Sequence, residues 1–215
     1  MSRFYPILVA LEGRRCVVVG GGGVAARKVP PLVECGARVV VVSPDLAPEI
    51  ERLAPPVEIV RRAYPPGDLE DAFLAIVATA DPAVNAAVAE EAARRGLLAN
   101  RADDPSGSTF LVPAVLRRGD VVVAVSTQGA SPALAARVRR DLEAVIGDEH
   151  ARLARILGAL RAEVIDRVAG GAERARIFRC MAESDALERL GRGESDEAVA
   201  ASLRRIAFEK GREGG

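Results

Sequence analysis

Aromatic side chains are scarce, at 3% of the 215 residues, and tryptophan is absent. A core of useful size therefore has to be filled by Ala, Val and Leu, drawn from a hydrophobic fraction of 49%. Histidine occurs once, at His150, which excludes a metal site built from several imidazoles. The three cysteines, Cys16, Cys35 and Cys180, are odd in number and show no C-x-x-C spacing. Neither a disulfide framework nor a Cys-based zinc site follows from them. Charge of one sign is not in excess, with 30 basic against 30 acidic residues, which argues against a nucleic-acid binder held by phosphate contacts. Lysine is limited to Lys28 and Lys210, so the basic side is arginine. That bias could serve binding of carboxylates or phosphates, but across the whole chain biased codon usage is the plainer and preferred explanation. The longest apolar runs are strand-sized, with no signal peptide or membrane span, and a cytoplasmic protein with no membrane partner is expected.

What is present is concentrated near the start. Residues 16–19, Cys-Val-Val-Val, read as a strand buried on both faces of a parallel sheet. Gly20, Gly22 and Ala25 follow in G-x-G-x-x-G/A spacing. The first position allows a tight turn, the second lets backbone approach a pyrophosphate, and the third lets helix pack close to strand. Residues 24–35 read as a helix stopped by Gly36, with its N-terminal N–H groups directed at the phosphates. Four consecutive glycines also describe a plain flexible turn, but a strand before and a helix after favour dinucleotide binding.

Strand and helix signals then alternate. Strands are expected at 37–42, 57–60, 73–78 and 97–100, with helices near 48–53 and at 83–95, the latter closed by Gly96. This alternation predicts an α/β fold, a Rossmann-like doubly wound parallel sheet with its ligand crevice at the carboxyl ends of the strands. Gly20–Gly23, Ser43–Asp45, Thr79–Asp81 and residues 100–104 all fall at that edge. Two further strands are expected at 109–115 and 121–126 around a turn of Arg117-Arg118-Gly119-Asp120. Ser131-Pro132 offers an N-cap and N1 proline for a helix running to about residue 146. From residue 149 everything reads helical, ending in a frayed tail at 210–215, and no internal repeat is found.

Three loops carry candidate chemistry. Asp45 stands twenty residues after Ala25, where a carboxylate reads the adenosine ribose; it equally suits an N-cap for the helix near Pro48. Asn100-Arg101-Ala102-Asp103-Asp104-Pro105 is a polar loop in which a desolvated carboxylate would have its pKa raised and act as a general base; an Asx-turn before Pro105 is the alternative. The run from Ser126 and Thr127 to Ser131 gathers hydroxyls at a helix N-terminus, as an anion-binding loop or as a simple cap. Arg117, Arg118, Arg137, Arg139 and Arg140 lie nearby in sequence, on solvated faces by default and useful to a carboxylate-rich substrate.

These motifs, in this order, resemble the precorrin-2 dehydrogenase family of the siroheme-synthase N-terminal type. The resemblance covers about residues 3–146 and rests on Tyr5-Pro6-Ile7, Gly13-Arg14, the glycine run with Val24-Ala25-Ala26-Arg27-Lys28, and Val41-Val42-Ser43-Pro44. It continues through Ala78-Thr79, Val84-Asn85, Asn100 with Asp103-Asp104-Pro105, Phe110, Pro113-Ala114, Arg117-Arg118-Gly119-Asp120 and the segment from Ala124 to Ala135. It implies NAD-dependent oxidation of precorrin-2 to sirohydrochlorin, with loss of a hydride and protons, by a homodimer. Some family members also insert ferrous iron, which would be a transient partner. Asp103 matches the family's catalytic aspartate. Expected cofactor contacts are Gly20, Gly22, Gly23, Val24, Ala25, Ser43, Pro44, Asp45, Thr79 and Ala80. Expected contacts to the tetrapyrrole are Asn100, Ser126, Thr127, Ser131, Arg117 and Arg137, with no resident metal ligand. The implied organisation is an NAD-binding domain at 1–112, a dimerisation and substrate segment at 113–148, and a helical region at 149–215.

The chain departs from the family at Arg101-Ala102, where two apolar residues are more usual, and at Ser106-Gly107-Ser108-Thr109, where a cysteine-containing stretch is usual. Arg101 should lower the pKa of Asp103 and repel an incoming cation, so iron insertion is expected to be present but weak. Two other classes stay open: a non-catalytic nucleotide-sensing module, which leaves the loops at 100–105 and 126–132 unexplained, and an NAD(P) oxidoreductase for another small substrate.

Overall fold

In a computed structural model the described residues are 4–104 and 107–209. Pro105, Ser106 and the expected tail at 210–215 lie outside them. The chain divides into two compact units, one up to Val112 and one from Pro113.

The first unit is built on the β-branched runs. β1 (Arg15–Val19), β2 (Arg38–Val42), β3 (Glu58–Val60), β4 (Leu74–Val77) and β5 (Leu98–Arg101) form one parallel sheet in the order β3-β2-β1-β4-β5. Val17 pairs with Val40 on one side and Ala75 on the other, so the valine runs stack in register across the sheet centre. α1 (Gly23–Glu34) and α2 (Pro48–Glu51) contribute to one face, where Val18, Val41, Ala25, Val29 and Ile50 pack together. α3 (Pro82–Arg95) and the connection after β3 cover the other, packing Val88, Ala92 and Leu69 on Val17, Val19 and Val40. Alternate residues of one strand thus enter different clusters, as a period of two demands.

The helix ends follow their sequence signals. Asp81 caps α3, its carboxylate accepting from the N–H groups of Ala83 at 2.8 Å and Val84 at 3.4 Å, and Pro82 opens the helix. Gly96 ends it with φ +67°.

The second unit starts with a hairpin of β6 (Ala114–Arg118) and β7 (Val121–Val125). Here the expectation of a strand at 109–115 is corrected. Thr109 instead joins β5, its N–H donating to Ala99 O at 2.8 Å while its hydroxyl accepts from Ala99 N at 2.8 Å. Pro113 then supplies no N–H for a ladder, and pairing begins only at Ala114. The expected four-residue turn is also shorter. Arg117 and Arg118 pair with Val122 and Val121, leaving Gly119-Asp120 as the two-residue loop, with Gly119 at φ +53°. α4 (Pro132–Glu143) packs on both strands and stops three residues before the expected end, its last turn closed by N–H groups of Val145 and Ile146 on Leu142 O. α5 (Asp148–Arg167), α6 (Gly171–Ala182), α7 (Ala186–Gly191) and α8 (Asp196–Phe208) share a core of Leu153, Leu160, Ile177, Met181, Leu190, Val199 and Leu203.

Candidate dinucleotide crevice and active site

Three strand-end loops of the first unit meet at two glycines. Gly20 has φ +112°, and a Cβ there would stand 2.4 Å from Ala78 O. A Cβ on Gly21 would stand 2.1 Å from Asp45 O. Main chain of the β1–α1, β2–α2 and β4–α3 loops is therefore in direct contact, and no side chain fits between. The N–H of Ala47 donates to Gly21 O at 2.7 Å, and Ser43 Oγ donates to Asp45 O at 2.7 Å, fixing the second loop against the first.

Gly22 differs, because nothing lies within 4 Å of a Cβ built on it. Its side is open toward a crevice of about 830 Å³, lined by Gly20–Val24, Ser43–Ala47, Ala63, Tyr64 and Ala78–Asp81. Gly22 is also the N-cap of α1, which has neither a side-chain cap nor an acidic residue in its first turn. Unclaimed N–H groups and the positive end of the helix dipole thus face the open cradle, which fits a pyrophosphate. Of the ten expected cofactor residues, nine line this crevice; Ala25 lies fully buried beneath it, packing α1 on the sheet.

Asp45 does not cap α2. The N-cap of that helix is Ala47, with no side-chain hydrogen bond, and Asp45 is exposed at the crevice. Nearby arginines are engaged elsewhere: Arg61 with Glu51 at 2.6 Å, Arg62 with both Asp68 oxygens at 2.6 and 2.9 Å, and Arg38 with Gly13 O at 2.9 Å. None of the three lines the crevice.

On the other side, the hydroxyl of Thr79 is held by the buried Asn85 Oδ1 at 2.7 Å, and Asn85 Nδ2 donates to Thr79 O at 3.2 Å. Asn85 stands out in the sequence only through the family resemblance, and its helical position gives no other sign of this clasp. Gly21 was hidden as one of four identical letters, and Tyr64 had no signal at all.

Asp103 stands two residues beyond β5. The guanidinium of Arg101 donates to both of its oxygens, at 3.2 and 2.8 Å, and reaches Asp104 at 3.5 Å. This hydrogen bonding from Arg101 outweighs burial and holds the Asp103 carboxyl down at about 2. Arg101 thus lowers it, the direction expected from its charge two residues away, and desolvation does not raise the carboxyl toward neutrality. Asn100 is buried in β5, its Nδ2 donating to Phe110 O at 3.0 Å, so its amide fastens the segment that follows the loop.

The remaining expected substrate contacts lie in the second unit. Ser131 caps α4 through Leu134 N at 3.2 Å, and Thr127 Oγ1 accepts from Ser131 N at 2.9 Å and donates to Ser131 O at 3.0 Å. Ser126 Oγ accepts from Gln128 N at 3.1 Å. Arg137 is exposed on α4 and pairs loosely with Asp141 at 3.9 Å, while Arg117 extends from β6. Among the described residues no three His, Cys, Asp or Glu side chains form a metal-binding group, and no helix is long and apolar enough to cross a membrane.

Fold and crevice together define the first unit as an NAD(P)-binding Rossmann domain. Residues 7–114 match the family described as putative NAD(P)-binding, and residues 118–144 the family described as sirohaem biosynthesis protein central. A siroheme synthase of Chromobacterium violaceum is 38% identical over 206 residues, 95% of this chain and 44% of its own. Another, of Methylobacillus flagellatus, is 41% identical over 175 residues, 80% and 37%. The chain thus spans less than half the length of these curated relatives. The structure of SirC, a precorrin-2 dehydrogenase, matches with a TM-score of 0.77 and 25% identity, over 94% of this chain and 100% of that one. The chain belongs to the putative NAD(P)-binding family, and its second unit carries the match to the sirohaem biosynthesis central family.

Proposed function

We propose that this chain oxidises precorrin-2 to sirohydrochlorin with NAD, a step toward siroheme. The carrying observation is the crevice bounded by Gly20–Val24, Ser43–Asp45 and Thr79–Ala80, in a chain that covers the whole of a precorrin-2 dehydrogenase. Bound NAD supplies the hydride acceptor. The chain's own part begins with the α1 N-terminus and Gly22 main chain, which seat the pyrophosphate. Asp45 accepts from the ribose 2′-hydroxyl. Asp103 takes up the proton released from the tetrapyrrole; held by Arg101, it is a weak base in the free protein, and withdrawal of Arg101 toward a substrate carboxylate raises its proton affinity. Incubating the protein with precorrin-2 and NAD should develop the sirohydrochlorin absorption, with NADH in equal amount. No product beyond the spontaneous rate would overturn the reading.

The wider reading is a cytoplasmic homodimer acting on a tetrapyrrole. Leu134, Val138 and Val145 in the second unit, at 51%, 37% and 63% exposure, give it more apolar surface than a lone helix needs, which supports self-association. Sedimentation at micromolar concentration should exceed the 22.6 kDa monomer. Weak insertion of Fe²⁺ as a second substrate is part of the proposal. Anaerobic siroheme formation should be slow in the wild type, faster in Arg101→Val and at the spontaneous rate in Asp103→Ala.

A further inference from the structure

Glu91 lies on α3 with 3% exposure, a carboxylate buried in the first unit and absent from the crevice lining. Its Oε2 accepts from the Tyr64 hydroxyl at 2.6 Å and from Gly67 N at 2.8 Å, while Oε1 accepts from Arg95 Nε at 2.9 Å. Burial opposes the charge, but the three donors outweigh it and hold the carboxyl below its ordinary range. Such a group, fully bonded by an amide, a hydroxyl and a guanidinium, behaves as a fixed post.

The post secures the connection after β3. Ala63 and Tyr64 from that connection form part of the crevice wall, and the Tyr64 ring also packs against the buried cluster beneath. Ring position is therefore set at both ends, by the apolar cluster and by Glu91. The wall belongs to the adenosine half of the crevice. In a Rossmann fold the loop after the second strand reads the adenosine ribose, and β3 lies outward of β2 on that same side, away from β4. An aromatic face there matches the flat apolar surface of an adenine, whereas the nicotinamide half lies toward Thr79 and Ala80.

We infer that Glu91 is a positioning residue, which holds the Tyr64 ring as the adenine wall of the dinucleotide crevice. The inference rests on the NAD-binding reading and adds a specificity element to it. Calorimetric titration with ADP-ribose and with nicotinamide mononucleotide separates the two halves. Tyr64→Phe keeps the ring and removes the tether; its ADP-ribose affinity should fall about 3- to 10-fold, the scale of one hydrogen bond. Tyr64→Ala should lose more, and in both variants mononucleotide affinity should stay within about twofold, a pattern that general loosening of the fold would not give. Glu91→Gln should weaken ADP-ribose binding too, and the double variant with Tyr64→Phe should lose less than the product of the single losses. Equal loss for both probes, multiplicative single effects, or wild-type ADP-ribose affinity in Tyr64→Ala would overturn the inference while leaving the crevice in place. A wild-type chain that binds neither NAD nor ADP-ribose would overturn the NAD-binding reading itself.

Discussion

The two units use their polar loops in opposite ways. In the first, main chain meets main chain at Gly20 and Gly21, so three loops are locked together and the remaining polar groups, the α1 N–H groups and the Asp45 carboxylate, are turned to the crevice. In the second, Ser126, Thr127 and Ser131 bond to their own loop and helix, and the conspicuous surface is apolar, at Leu134, Val138 and Val145. A ligand-ready loop is thus recognised by the donors and acceptors it leaves unclaimed, and a hydroxyl-rich sequence alone does not make one.

The largest expected effect sets the proposed proton acceptor against the capping residues. Asp103→Asn should reduce dehydrogenase turnover by about 10²–10⁴-fold, the usual cost of a lost general base. NAD affinity should be unchanged, because Asp103 is not among the crevice residues. Near-wild-type turnover would end its assignment and direct attention to Asp104.

Gly21→Ala comes next. The new methyl would stand 2.1 Å from Asp45 O, main chain that has no rotamer to escape into. A loss of about 1–3 kcal/mol in stability is expected from the forced separation of the loops, together with weakened NAD binding. Gly22→Ala meets nothing within the protein, so it should fold normally and lose only ligand affinity. Thermal melts and titrations on the pair distinguish packing glycine from cradle glycine; equal stability would show that the loops give way.

These two glycines mark the limit of what the sequence discloses. The alternation of strands and helices and both helix stops of the first unit were legible, since valine runs, Gly36 and Gly96 each act locally. The crevice edge was legible for the same reason. What was not legible depends on contacts between distant segments: Thr109 pairing with Ala99, which displaced the sixth strand, and Glu91 reaching Tyr64, which has no sequence spacing to announce it. Asp103 shows both cases at once. Its place at a strand end and the direction in which Arg101 moves its pKa were readable, whereas the two-oxygen grip was not.

Cofactor choice gives a smaller effect. Asp45 at the crevice repels a 2′-phosphate, and Arg61 and Arg62 are occupied by Glu51 and Asp68. NAD should exceed NADP in kcat/KM by about tenfold or more, a difference of some 1.4 kcal/mol. Equal values would show that Asp45 does not read the ribose. In the second unit, Ser131→Ala removes the α4 cap and should cost about 1 kcal/mol of stability. If its turnover falls as far as that of Asp103→Asn, the hydroxyl serves chemistry as well as the helix.

The smallest effect concerns acid stability. The Asp103 carboxyl is held at about 2 in the folded protein against an ordinary 3.8, first by the Arg101 hydrogen bonds. A carboxylate lowered on folding adds stability that is complete above the unfolded value and disappears as pH falls through the folded one. The contribution should therefore be constant near neutrality and fade between about pH 4 and 2. Asp103 is 36% exposed, so solvent screening limits the pair to less than about 1 kcal/mol, and added salt should reduce it further. Melting temperatures of wild type and Asp103→Asn, compared from neutral pH downward, should converge across that window. A difference that persists below it, or that is already absent at neutral pH and low salt, would show that Arg101 does not hold Asp103 in solution, and with it would go the explanation offered for slow iron insertion.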